Sequence, residues 1–165
     1  MIALRGRGRS AIALVVAVLL VCGAVHARGV DRTIAGDVVG VADGDTLTVL
    51  AGRQEIRVRL SEIDAPERRQ AFGTVSRQHL AMLCFRKQAV VRVESTDRYG
   101  RVVGRVACAG VDANAAMVRA GLAWAYTRYL RDPRIAALER EARMARRGLW
   151  RDPNPTPPWS YRHGG

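Results

Sequence analysis

A chain of 165 residues has room for one ordinary domain and little more, so a single core is expected. Its 27 Lys and Arg against 15 Asp and Glu leave a net charge of +12. That excess favours a polyanionic partner, but it does not separate nucleic acid from an acidic membrane or from plain Arg-rich composition. The chemistry has to be read from motifs.

Arg5, Arg7 and Arg9 precede an unbroken apolar run from Ala11 to Val21, and small residues follow up to Val25-His26-Ala27. That order reads as a secretory signal peptide over 1–27, cleaved after Ala27. An uncleaved membrane anchor is the alternative, but the run is short for the roughly 20 residues that a spanning helix needs. A lipoprotein would need a small residue before Cys22, where Val21 stands. Cleavage removes three Arg and no acid, so the net charge falls from +12 to +9. The expected location is periplasmic or extracellular. Two cysteines remain, Cys84 and Cys108. In an oxidising compartment they are candidates for a disulfide, the other reading being two small buried hydrophobes.

An N-terminal extension over 28–34 leads into the domain. Apolar alternation and β-branched residues then predict strands near 36–42, 45–51, 54–60, 88–94 and 101–109. The second and third of these turn around Gly52-Arg53. A two-residue loop sets Leu47 opposite Val58 and Val49 opposite Ile56, whereas a three-residue loop sets Leu47 against Arg57. Apolar matching selects the two-residue hairpin, which places Thr46 opposite Arg59 and Asp45 one residue along from it.

Helices are expected near 74–86, 113–120 and 133–147. The last has the clearest boundaries: Asp132 as N-cap, Pro133 at the first helical position and Gly148 in the left-handed conformation that ends it. Ile135, Leu138, Ala142 and Ala145 form its apolar face, with Glu139 and Arg143 paired outside. The domain thus runs over 35–150, and the Pro-rich stretch 151–165 reads as a surface tail.

Three clusters join acids or Arg to turn residues: Asp43-Gly44-Asp45-Thr46, Arg59 to Glu67, and Asp97-Arg98-Tyr99-Gly100-Arg101. Each alone is an ordinary turn or a solvated pair. Together they supply what phosphodiester hydrolysis at a hard cation needs. Asp45 and Asp64 are candidate ligands for calcium or magnesium. Arg59 and Arg101 can hold phosphate oxygens and offset charge developing at phosphorus. Glu67, after the Pro66 bend, can orient or deprotonate water. Asp43 either supports the metal site from behind or only shapes the turn.

In this order and spacing the clusters resemble the staphylococcal (micrococcal) nuclease family over roughly residues 35–150. The resemblance implies a mainly β, α+β fold: a five-stranded OB-fold barrel with three helices. It implies calcium held by Asp45, Asp64 and the backbone carbonyl of Ala65, where the founding member has Thr. It assigns phosphate binding to Arg59 and Arg101 and water orientation to Glu67. DNA and RNA would be cut to leave 3′-phosphate and 5′-hydroxyl ends. Tyr99, Tyr126 and Tyr129 would border the nucleotide pocket, with Tyr126 alternatively packing in the core.

The loop after Glu67 is shorter than in the founding member. Its Arg68 and Arg69, with Arg77, either steer nucleic acid or are solvated surface charge. His79 lacks a partner triad, His163 falls in the tail, and Trp124, Trp150 and Trp159 read as cover for the core or anchors for the tail. A non-catalytic OB module that binds nucleic acid is the main rival, against which the five side chains Asp45, Asp64, Glu67, Arg59 and Arg101 argue. An envelope protein whose charge serves anionic lipid would leave the acidic clusters unexplained.

Overall fold

A computed structural model describes residues 32–164. The predicted signal peptide and the first residues of the extension lie outside the described residues. Among the described residues eight strands are present: β1 Thr33–Val41, β2 Thr46–Ala51, β3 Gln54–Leu60, β4 Ile63–Asp64, β5 Gln88–Thr96, β6 Val102–Cys108, β7 Val111–Asp112 and β8 Trp124–Ala125. The helices are α1 Gly73–Cys84, α2 Ala113–Arg119, α3 Pro133–Met144 and a short α4 Pro158–Tyr161, with a 3-10 turn at Gly148–Arg151. Among the described residues no helix is long and apolar enough to cross a membrane.

Strands β1, β2, β3, β6 and β5 close on themselves. Neighbours are antiparallel except at the seam, where β3 and β6 run parallel with Arg59 opposite Val103 and Leu60 opposite Gly104. This is the expected mainly β five-stranded OB-fold barrel, with three principal helices packed on it. The β2–β3 register is the one apolar matching selects, Thr46 opposite Arg59 and Leu47 opposite Val58. Gly52 turns the hairpin with φ of 63°, a conformation that costs glycine little.

The barrel interior is filled by the inward-facing alternate residues of the strands, among them Val38, Leu47, Val49, Val58, Leu60, Val91 and Val106, all essentially inaccessible. Leu80 of α1, Met117 of α2 and Ile135 of α3 complete this core. Burying each such side chain stabilises the fold by about 1.5–3 kcal/mol. A smaller cluster of Trp124, Ala142, Leu149 and Trp150 sits beside it. Cys84 of α1 and Cys108 of β6 are joined by a disulfide, with their Cα atoms 5.1 Å apart.

Two local expectations are corrected. Helix α3 ends at Met144, not 147, so Ala145 caps it and is exposed instead of completing the apolar face. Arg146 already takes a left-handed φ of 49°, and Gly148, also left-handed, brings its backbone against that of Gly121. The segment after Trp150 is not a loose tail. Pro157 is extended with φ of −65° and ψ of 145°, α4 follows with Pro158 at its start, and Pro158 is buried. A proline-rich stretch has little backbone freedom to lose, so docking it costs little entropy.

Candidate active site

The hairpin register delivers Asp45 to Arg59. A short bridge then delivers Asp64: β4 pairs with β8, Asp64 opposite Trp124. The intervening turn holds Glu62 at φ of 63°, uncommon for a side chain larger than glycine. It is pinned at several points. Tyr126 N donates to the Glu62 carbonyl at 2.8 Å, and Asp132 N donates to Glu62 Oε2 at 3.1 Å. The buried Asn114 side chain donates to the Ser61 carbonyl at 2.8 Å and accepts from Val106 N at 2.9 Å. A buried amide with both ends satisfied is a rigid brace.

Gly44 does not serve mainly as a turn residue. A Cβ there would collide with Ser76 Oγ, so the glycine lets α1 press against the Asp43–Asp45 segment. Ser76 Oγ in turn donates to the Leu122 carbonyl at 2.7 Å, linking that segment to the approach to β8.

Arg59 stands between the two buried acids. Its Nη2 donates to Asp64 Oδ1 at 2.8 Å and lies 3.3 Å from Asp45 Oδ2. Nη1 donates to the Ile63 carbonyl at 3.2 Å. Burial works against its charge, but Asp45 and Asp64 hold the guanidinium above its ordinary pKa. Asp45 Oδ1 accepts from Thr46 Oγ1 at 2.9 Å and Oδ2 from Ala65 N at 3.0 Å. Ala65 is therefore bound to Asp45 through its own backbone. Burial raises the pKa of Asp64, with the guanidiniums of Arg162 and Arg59 acting against the rise.

Asp43 accepts from Asp45 N at 3.1 Å. Burial, then the neighbouring Asp45 charge, pushes its carboxyl up to about 6. Asp43 thus holds the Asp45 backbone and adds a third acid behind the site. Arg101 faces it from the next turn: its Nε donates to Asp97 Oδ2 at 2.8 Å, and its Nη1 reaches Thr46 Oγ1 at 3.5 Å.

These groups line an open cleft of about 1070 Å³ that also takes in Glu67 and all three tyrosines. Tyr99 is 68% exposed, with the Arg101 guanidinium 5.5 Å from its ring centroid. Tyr126 is half-buried beneath Arg59, 6.0 Å from ring to guanidinium, and Tyr129 packs edge-on against it at 5.0 Å. Arg68, Arg69 and Arg77 lie outside the cleft lining, whose further arginines are instead Arg57, Arg98, Arg128, Arg131 and Arg162. His79, on α1, is also outside it, its pKa lowered by burial.

Sequence reasoning missed Arg162. Its Nη2 donates to Asp64 Oδ2 at 2.8 Å and its Nη1 to Glu67 Oε1 at 2.7 Å, so the C-terminal segment reaches into the site. The available signal was Trp159, a large aromatic in a proline-rich stretch, which docks against Tyr126 while Tyr161 stays exposed.

The donor set suits a hard cation. Asp45 and Asp64 oxygens both face one Arg59 nitrogen, and carboxylate oxygens match calcium or magnesium better than softer metals. Among the described residues no three His, Cys, Asp or Glu side chains converge as a metal cluster. Two carboxylates would need a backbone oxygen and water to complete a shell.

The sequence matches the family profile described as staphylococcal nuclease homologue over residues 57–152, a span that holds Arg59, Asp64, Glu67 and Arg101 and begins after Asp45. An uncharacterized endonuclease of Escherichia coli is 47% identical over 131 residues, 79% of this chain and 86% of that protein. A micrococcal nuclease of Shigella flexneri is 48% identical over 138 residues, 77% of this chain and 79% of that one. An uncharacterized endonuclease of Haemophilus influenzae is 42% identical over 126 residues, 76% and 71% of the two chains. Profile, relatives and closed barrel agree: the chain belongs to the staphylococcal nuclease homologue family.

Proposed function

We propose that this nuclease hydrolyses phosphodiester bonds of both DNA and RNA with the help of calcium held by Asp45, Asp64 and the Ala65 carbonyl. The single observation that carries the reading is Arg59 shared between two buried carboxylates, in a cleft that also presents Arg101 and Glu67. When bound, the cation supplies Lewis-acid polarisation of the phosphoryl oxygen.

The chain's own residues do the rest. Arg59 and Arg101 offer planar forks to the non-bridging oxygens and stabilise charge as phosphorus becomes pentacoordinate. Glu67 orients a water for in-line attack and accepts its proton. The P–O5′ bond breaks and the departing O5′ takes a proton from solvent water, leaving a 3′-phosphate and a 5′-hydroxyl. Tyr99 and Tyr129, exposed at the cleft edge, border the nucleotide and can stack on a base or donate to phosphate.

Export to the periplasm or medium is part of the same proposal. It is supported by the leader-like first 27 residues and by the Cys84–Cys108 bridge, since disulfides persist in oxidising compartments.

The test is incubation of the purified chain with single- and double-stranded DNA and RNA, with calcium or with chelator. Calcium-dependent cleavage of both polymers, with 3′-phosphate ends, is expected. Undiminished cleavage in chelator would overturn the metal's role, and binding without cleavage under every metal would favour a non-catalytic module.

A further inference from the structure

The C-terminal segment holds Glu67 at two points. At the backbone, Gln70 Oε1 accepts from Glu67 N at 3.1 Å while Gln70 Nε2 donates to the Thr156 carbonyl at 2.6 Å. One amide side chain therefore ties the start of the Glu67 loop to the C-terminal strand of chain. At the side chain, Arg162 Nη1 donates to Glu67 Oε1 at 2.7 Å. The same guanidinium holds Asp64 through Nη2 to Oδ2 at 2.8 Å and Nη1 to Oδ1 at 3.3 Å. Among the described residues no other side chain pairs with the Glu67 carboxylate.

The segment is docked firmly enough to do this. Trp159 lies flat on Tyr126, centroids 5.4 Å apart and planes 5° from parallel, and edge-on to Trp124 at 5.6 Å. Pro158 is buried, and the last turn closes with His163 Nδ1 2.6 Å from the Trp159 carbonyl. Aromatic pairs of this kind contribute beyond their area burial. The anchors come from β8, from the residue after it and from the loop before α1. Arg162 is thus placed by contacts separate from the acids it spans.

Glu67 needs such help. It lies on a loop with the exposed Arg68 and Arg69, and its own side chain is 37% exposed. A carboxylate free to turn spends little time aimed at a water, and misplacement by about 1 Å can cost on the order of a hundredfold in rate.

We propose that residues 152–164 are part of the active site: Arg162 is a positioning residue that sets the Glu67 carboxylate against Asp64, and Gln70 with Thr156 clamps the Glu67 backbone. The inference rests on the proposed role of Glu67 in activating water.

The experiment uses the full chain and two readouts. With single-stranded DNA and saturating calcium, Arg162→Ala is expected to lower kcat at least tenfold with KM changed less than threefold, and Arg162→Lys to recover part of the rate. The double variant Arg162→Ala/Glu67→Gln should be no slower than Glu67→Gln alone, because the two residues act as one unit. Amide hydrogen exchange over residues 67–73, which needs no turnover, should quicken in Arg162→Ala and in Gln70→Ala.

Wild-type kcat in Arg162→Ala would overturn the proposal. So would a double variant slowed by the full Arg162 factor, which would put Arg162 on substrate directly. A raised kcat would make the segment a plug, and unchanged exchange would remove the clamp whatever the rates. If the wild-type chain cleaves nothing while exchange still responds, the clamp stands and the hydrolytic reading fails.

Discussion

Arg59 Nη2 lies 2.8 Å from Asp64 Oδ1 although the two residues are five apart in sequence, because the tight turn after β3 folds Asp64 back toward the strand's end. Asp45 shares that nitrogen, but whereas Asp64 is also held by Arg162, Asp45 has Arg59 as its cationic partner. Arg59→Ala is expected to lower kcat by about 10²–10³, the usual worth of an electrostatic group at a developing charge. Without calcium it should also lower the unfolding free energy by about 3 kcal/mol, since it leaves the buried Asp45 without a cationic partner while Asp64 keeps Arg162. Denaturant unfolding with and without calcium checks this, the deficit shrinking as calcium supplies the missing positive charge.

Glu67→Ala and Arg101→Ala should each reduce the rate at least tenfold while circular dichroism stays that of the parent. Both side chains sit at the cleft and neither belongs to the core. Near-normal turnover in either variant would show that its role is misassigned.

The N-cap of α3 predicts a pH dependence. Hydrogen bonds from Arg134, then Arg105, hold the Asp132 carboxyl well below the ordinary carboxylate value of 3.8. A depressed acid stabilises the fold above its unfolded pKa and loses that contribution as pH falls through the folded value. Asp132→Ala should therefore cost about 1–2 kcal/mol at pH 7. The gap between variant and parent should narrow below about pH 4, as measured by denaturant unfolding across that range.

The disulfide joins residues 24 apart and ties α1 to the barrel. Its reduction should destabilise the chain by about 3 kcal/mol by freeing the unfolded state. Mass before and after alkylation, with melting in reductant, tests this, and free thiols at both positions in the purified protein would contradict it.

The β2–β3 register was legible because only one pairing matches Leu47 with Val58, and each further pair then follows along the strand. The start of α3 was legible because Asp132 and Pro133 act locally. Its end was not: Arg146, an exposed arginine, takes the left-handed conformation usually left to glycine two residues before Gly148, and Arg147 N donates to the Ala142 carbonyl at 2.9 Å. Gly44 looked like a turn glycine because nothing in sequence announces Ser76, 32 residues on, as its neighbour. Arg162 was hidden for the same reason, since its place depends on Trp159 finding Tyr126. Arg68 and Arg69 stand next to Glu67 in sequence and Arg77 lies on α1, while the arginines lining the cleft come from other strands and loops.

The parallel seam between β3 and β6 gives the protein a safeguard. Arg59 stands on one side of it, opposite Val103, and Arg101 just precedes the strand on the other. Neither half of the barrel holds both of the arginines proposed to bind phosphate. Assembly of the cutting site therefore waits on the joining of segments more than 40 residues apart, a slow, non-local step in folding. Were the proposed export to carry the chain across a membrane unfolded, it would be harmless to the nucleic acid of the cell that makes it until that seam has zipped.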